Sequence, residues 1–424
     1  MKVRLAYGKT GLDVDLPDDL DVTVVEPKYL PGLPDQGEAV REALRNPIEA
    51  PPLRNIAKPS DKVGIIFNDI TRPTPNNLII PLVLNELENV PRRNITLFNA
   101  LGTHRPNTDA ELREILGDAL VDGYRIIQNN TFDRSTQRRI GDTMRGHDIW
   151  LNRELLDCDL KILTGFIEPH FFAGFSGGGK AVMPGMAGIE TILLNHGAEM
   201  IDSPSSTWGV TKGNPIWEEI HEIARRVEKL FLLNITLNKH KQITGVFAGQ
   251  LDAAHEAGCR FVKESAMVPL PNPYDIVITT NSGYPLDLNL YQSVKGMSAA
   301  SQIVRKGGAI IIASSCWDGI PDHGLYGQLL REASGPEDLL GVIRSPGFLK
   351  MDQWQAQIQA QILLKAKVIV KSDNLTAEEI KMALLSHCNS VEDALRELLK
   401  EYGPQAKICV LPEGPQTIPY ILPA

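Results

Sequence analysis

Short apolar runs alternate with amphipathic stretches along most of the chain. "KVGIIF" (62–67), "NITLFNA" (94–100) and "LKILTGF" (160–166) have the near-continuous apolar character of strands buried on both faces. Between them, "NNLIIPLVLNELENV" (76–90) predicts a helix with Pro81 in its first turn, and "TDAELREILG" (108–117) a capped helix stopped by Gly117. "IWEEIHEIARRVEKL" (216–230) predicts an amphipathic helix, "LFLLNITLN" and "QITGVFAG" strands, and "LDAAHEAGCRFVKESA" (251–266) another helix. "MVPLPNPYD" (267–275), with three prolines, predicts a linker. A second series follows, with strands at 275–280, 307–315, 366–372 and 407–412 and helices between them. This alternation predicts an α/β protein of two domains with mostly parallel sheets. The expected boundaries are 1–270 for an N-terminal α/β domain, joined by 413–424, and 275–412 for a Rossmann-like C-terminal domain. The latter lacks GxGxxG at its first turn, so no dinucleotide site is expected there.

At 424 residues the chain is long enough for two cores. Its formal net charge of -9 argues against nucleic acid as a partner, since phosphate backbones call for a basic field. It leaves room for a small anionic substrate in a locally cationic cleft. Five scattered cysteines without a CxxC pair read as reduced thiols. No stretch approaches 18 uninterrupted apolar residues and the N-terminus lacks a signal-like run, so a cytoplasmic protein without a membrane segment is expected. No oligomeric contact is legible in the pattern.

Open α/β sheets bind ligands beyond the carboxyl ends of their strands. Four polar clusters follow inferred strands: "NDITRPTP" (68–75), "LGTHRP" (101–106), "IEPHFFAGFSGGGK" (167–180) and "NSGYPLDLNLYQSVKG" (281–296). The topology therefore gathers Asp69, Arg72, His104, His170, Lys180, Tyr291, Gln292 and Lys295 as candidates for one interdomain cleft. His147, His221, His240, His255, His323 and His387 lack such a setting and read as surface or satisfied core residues.

Gly174–Lys180 fits the first seven positions of a phosphate-binding P-loop, but Ala181 stands where a Ser or Thr would hold magnesium. Pro184 and Gly185 also interrupt the helix such a loop opens. A nucleotide role is disfavoured, and Lys180 reads better as a covalent attachment point or nucleophile. The three glycines before it are expected to let the backbone approach a ligand closely. His104, His170 and His196 leave a three-histidine zinc centre open, as they do a single histidine ligand to a cofactor-borne metal.

"DITRPTP", "GTHRP", "GFIEPHFFAGFSGGGKAVMPGMAG", "LLNHG" and "YQSVKG" resemble the nickel-pincer-dependent lactate racemase family, from about residue 60 to the terminal "LPEGPQTIPYI". The resemblance implies two α/β domains with the active site between them. It implies a nickel pyridinium-3,5-bisthiocarboxylate mononucleotide tethered to Lys180, with His196 as the protein's nickel ligand. His104 and His170 would be the acid/base pair. Asp69, Ile70, Thr71 and Arg72 would contact the cofactor, Arg72 also the substrate. Gln292 and Lys295 would bind substrate, and Tyr291 and Trp354 would line the site. Transient partners would be the enzymes that make the cofactor.

The chemistry is consistent with that implication. Interconverting the mirror forms of a 2-hydroxy acid is easier through a 2-keto acid and hydride transfer than through a carbanion beside a carboxylate. Two histidines, titrating near neutrality, suit the hydroxyl proton on either side. Arg72 offers a planar fork to a carboxylate, and Lys295 a point charge. The expected substrate is lactate; malate, 2-hydroxyglutarate, phenyllactate or an aldonate share the same carboxylate, hydroxyl and C2. A P-loop phosphotransferase and a nickel or cofactor carrier are the remaining readings.

Overall fold

The computed structural model describes residues 1–322 and 324–422, so His323 lies outside the described residues. The chain divides into two compact units: one comprises Tyr29–His196 and Ser203–Lys263, the other Met1–Lys28, Gly197–Asp202 and everything from Glu264 onward.

The first unit is built on a six-stranded sheet. From edge to edge its strands are Ile243–Gly249, Leu230–Leu237, Leu160–Phe166, Val63–Asn68, Ile95–Ala100 and Arg125–Gln128. All neighbours are parallel except the first pair, an antiparallel hairpin. Leu160–Phe166 is buried throughout, as its unbroken apolar run requires. Ile65, Phe67, Leu97 and Ile162 pack with Ile79, Ile80 and Val83 of the helix Asn76–Asn85. Pro81 lies in the middle of that helix, not in its first turn. An interior proline costs about 3 kcal/mol. Four buried apolar neighbours, Ile79, Ile80, Leu82 and Val83, at roughly 1.5–3 kcal/mol each, outweigh it. The helix Asp109–Leu116 starts at a capping box between Thr108 and Glu111 and stops at Gly117, with φ 84°.

The second unit carries its own six-stranded sheet, parallel throughout: Ser386–Cys388, Ala366–Lys371, Val304–Ala313, Tyr274–Thr280, Ile408–Leu411 and Val22–Val24. The chain steps outward from Tyr274–Thr280 and then returns to its other side at Ile408–Leu411. The strand order reverses there, so the loop leaving Thr280 occupies the position where such sheets take ligands.

Two expectations about the chain ends need correcting. Residues 1–28 and 413–422 belong to this second unit, not to the first. Val22–Val24 pairs with Ile408–Leu411, and Ile418–Ile421 pairs with Met267–Leu270. Met267–Leu270 is therefore a strand and not a linker. Pro269 is tolerated because the sheet has only two strands, where a missing N–H disrupts no central ladder. Among the described residues no helix is long and apolar enough to cross a membrane.

Candidate active site

Val63–Asn68 and Ile95–Ala100 are parallel neighbours, so the loops leaving their carboxyl ends emerge side by side. The first loop carries Asp69, Ile70, Thr71 and Arg72, and the second carries His104. Nδ1 of His104 lies 2.7 Å from Oδ2 of Asp69. The other carboxylate oxygen accepts from the Thr71 hydroxyl at 2.8 Å, and that hydroxyl accepts from Arg72 Nη1 at 2.9 Å. Burial pushes the Asp69 carboxyl up, but the hydrogen bond and charge of His104, with Arg72 and Thr71, outweigh it and hold the group below its usual range. Asp69 is buried, whereas the His104 imidazole is 42% exposed, so a fixed anion orients an accessible ring. Ile70 packs on the sheet core, leaving Thr71 and Arg72 exposed at the rim.

The loop after Leu160–Phe166 folds first into a two-residue hairpin that pairs His170 with Gly174. Nδ1 of His170 accepts from the backbone N–H of Ala173 at 3.2 Å. A short 3-10 turn, Gly178–Ala181, then carries Lys180, and no helix begins until Ile189–Asn195. The loop therefore opens no long helix onto a phosphate, and the P-loop resemblance ends at the sequence. The glycines also have a packing reason within the protein. A Cβ on Gly178 would lie 2.7 Å from the His255 ring, and one on Gly177 would lie 2.5 Å from Asn234 Oδ1. The space against the loop is filled by the protein itself. Gly178 N–H donates to Asn234 at 2.7 Å, and His255 Nε2 bonds the Ser176 carbonyl at 2.9 Å. The track is a rigid bracket for Lys180.

Phe172 organises what this bracket presents. Its ring stands edge-on to His170 at 4.5 Å and to His196 at 5.1 Å between centroids, and Lys180 Nζ lies 5.9 Å from its centre. His196 caps the helix Ile189–Asn195. Burial, with a smaller push from the Lys180 charge, drives its imidazole pKa down to about 3. Beneath it, buried Glu219 accepts from Asn195 and Thr143, each at 2.8 Å, and His147 Nδ1 lies 2.8 Å from its carboxylate. A hydrogen bond from Gly102 N–H to the Gly185 carbonyl ties the His104 loop to the turn after Lys180.

Among the described residues no three His, Cys, Asp or Glu side chains converge as metal ligands. His104, His170 and His196 therefore do not form the three-histidine zinc centre left open by the sequence: His104 is paired with Asp69, and the other two pack against Phe172.

In the second unit, Asn289 caps the helix Leu290–Ser301. Gln292 and Lys295, three apart, share one face of it, and both are partly exposed. Trp354 Nε1 donates to the Tyr291 hydroxyl at 3.2 Å, and Tyr291 meets buried Tyr326 edge-on. These contacts fix the first turn of the helix from behind.

Family models described as the lactate racemase N-terminal and C-terminal domains match residues 7–209 and 271–418. The chain belongs to the lactate racemase family. It is 36% identical over 422 residues to the lactate racemase of Thermoanaerobacterium thermosaccharolyticum, covering 98% of each. With the lactate racemase of Lactiplantibacillus plantarum it shares 39% over 379 residues, covering 89% of each. The lactate racemase apoprotein structure from the former organism superposes with a TM-score of 0.93 at 35% identity, over 99% of this chain and 100% of that one. A Thermotoga maritima crystal structure at 19% identity, with a TM-score of 0.67 over 93% of this chain and 100% of that one, shares the fold. The family is one of isomerases.

Phe172, Asn234, His255, Glu219 and Asn195 all shape this site, and the sequence reading gave none of them a role. Phe172 and Asn195 carried a local signal, inside "EPHFFAG" and "LLNHG". Asn234, His255 and Glu219 act from a strand and helices distant in sequence.

Proposed function

We propose that the chain racemises a short 2-hydroxy acid, with lactate foremost, through a 2-keto acid. The observation that carries this reading is the grouping of Lys180, a neutral buried His196 and His170 around the Phe172 ring. An imidazole whose pKa lies near 3 keeps its lone pair at any physiological pH, as a nickel ligand must. A lysine beside it suits a tethered cofactor, so the donor set fits the nickel-pincer nucleotide, with Lys180 as tether and His196 as metal ligand. When bound, that group supplies a hydride acceptor and donor for the substrate's C2 carbon.

The protein's own residues do the rest. Arg72, on an exposed turn, presents a guanidinium fork to cofactor or carboxylate. Lys295 and Gln292 bind the substrate's polar end, with Tyr291 and Trp354 as the wall. His104 and His170 hold and move the hydroxyl proton. Asp69, Ile70 and Thr71 border the cofactor and shape the His104 loop. The enzymes that build the cofactor are transient partners, and the cytoplasm is the compartment.

The test is to co-express the chain with the cofactor-making enzymes, incubate it with L- or D-lactate, and follow the other enantiomer by chiral chromatography. An adduct of several hundred daltons should appear by intact mass and vanish in Lys180→Ala. Enantiopure malate, 2-hydroxyglutarate, phenyllactate and an aldonate form the comparison panel. Inversion of one of these without lactate would move the substrate assignment, and no inversion of any would end the reading.

A further inference from the structure

We propose that the two histidines are chemically unequal at rest: His104 presents a bare nitrogen at Nε2, His170 presents an N–H at Nε2, and Asp69 is the positioning residue that sets the first. The consequence for catalysis rests on the proposed pairing of these histidines in one reaction; the proton positions follow from the hydrogen bonds alone.

Asp69 is buried, and its carboxylate already accepts from the Thr71 hydroxyl. A carboxylate only accepts, so the His104 nitrogen 2.7 Å from its other oxygen must carry a hydrogen. In the neutral ring Nε2 is then the lone-pair nitrogen. At His170 the logic inverts. A backbone N–H only donates, and Nδ1 of His170 receives that of Ala173 at 3.2 Å, with the N–H of Phe172 at 3.5 Å. Nδ1 must be the lone-pair nitrogen, and the single proton of the neutral ring sits on Nε2. Placing a hydrogen on Nδ1 would set N–H against N–H.

His104 is therefore ready to take a hydroxyl proton, and the imidazolium it becomes is stabilised by Asp69. Before His170 takes a proton from the opposite enantiomer, the ring must change tautomer: Nε2 gives its proton to water, Nδ1 takes one from water, and the Ala173 bond to Nδ1 breaks. Because mirror-image substrates have equal free energy, kcat/KM is bound to be the same in both directions; the inequality falls on kcat and KM separately. The two enantiomers meet one ready base and one that must first be reset.

The experiment is 15N–1H correlation spectroscopy of the histidine rings of the full chain, without cofactor or substrate, at a pH where both rings are neutral. His104→Gln and His170→Gln assign the signals, and either suffices to place one ring. The expected spectrum shows His104 as the Nδ1–H tautomer and His170 as the Nε2–H tautomer. In Asp69→Ala the His104 signal should move toward the Nε2–H form that free imidazole side chains favour, with His170 unchanged. Any other tautomer for either ring in the wild-type chain, which needs no variant to fold, overturns the proposal. Since no turnover is read, that failure is separate from failure of the racemase reading, which appears as absent inversion.

Discussion

The imidazole of His196 meets the ring of Phe172 edge-on, 5.1 Å between centroids. Phe172 is itself buried and also contacts His170. Truncating it removes packing from both histidines together. Phe172→Ala is expected to lose about 3–5 kcal/mol in urea unfolding. Phe172→Leu, closer in volume, should lose less than about 1.5 kcal/mol. Racemisation in Phe172→Leu should still fall at least about tenfold, because about 1.4 kcal/mol of lost alignment suffices for that.

Gly178 and Gly117 separate two reasons for glycine. Both have positive φ, at 56° and 84°, but a Cβ at Gly178 meets the His255 ring while one at Gly117 meets nothing within 4 Å. Gly117→Ala should cost only the penalty of its positive φ with extended ψ of 154°, about 1–3 kcal/mol. Gly178→Ala should cost a further 1–3 kcal/mol or so for the clash. Equal losses for the two in parallel chemical denaturation would refute the packing account.

Acid should weaken the first unit before its carboxylates titrate. Burial, then the nearby His221, push the His255 pKa down to about 3, and burial lowers His221 as well. Unfolded histidines bind protons below about 6.5, where these folded ones do not. The unfolded state then holds more protons, so stability falls as pH drops from about 6.5 toward 3, by up to about 1.4 kcal/mol per pH unit from His255. Urea midpoints at pH 7 and pH 5 measure this, and His255→Gln should shrink the difference, with His196 and His221 supplying the rest.

Glu219 accepts from Asn195 and Thr143 and faces His147 at 2.8 Å in a buried pocket under the His196 helix end. Glu219→Ala leaves these buried groups without their carboxylate and should cost about 3–5 kcal/mol. Glu219→Gln keeps an acceptor oxygen and should cost clearly less. Thermal unfolding of both variants beside wild type decides it.

Arg72→Lys tests the planar fork. Losing one charge-assisted hydrogen bond, about 1.5–3 kcal/mol, predicts a fall in kcat/KM of roughly ten- to a hundredfold. Steady-state kinetics from each enantiomer should give the same ratio. An unchanged kcat/KM would remove Arg72 from the site.

Strands and helices of the two sheets were largely legible, because strands such as Leu160–Phe166 and helices such as Pro215–Arg225 carry their periodicity in the residues themselves. Val22–Val24 was not, since three half-buried residues make no pattern and the strand exists only through its partner. The same division holds in the site. His104, His170, Lys180 and His196 stood out because loop composition marks them. Asn234 and His255 did not, because what makes them matter is contact with a loop more than fifty residues away. At the glycine track the structure shows a packing reason, the approach of Asn234 and His255, which a sequence cannot separate from a ligand's approach.

The edge strand Val22–Val24 lies beside Ile408–Leu411, a partner far later in the chain. On a ribosome adding roughly 5–20 residues per second, the early strand waits on the order of tens of seconds for its partner. Tyr29–His196 and Ser203–Lys263 are complete well before then. The nascent chain thus holds an unpaired strand ahead of a finished sheet, and the second unit closes only once Ile408–Leu411 has been made.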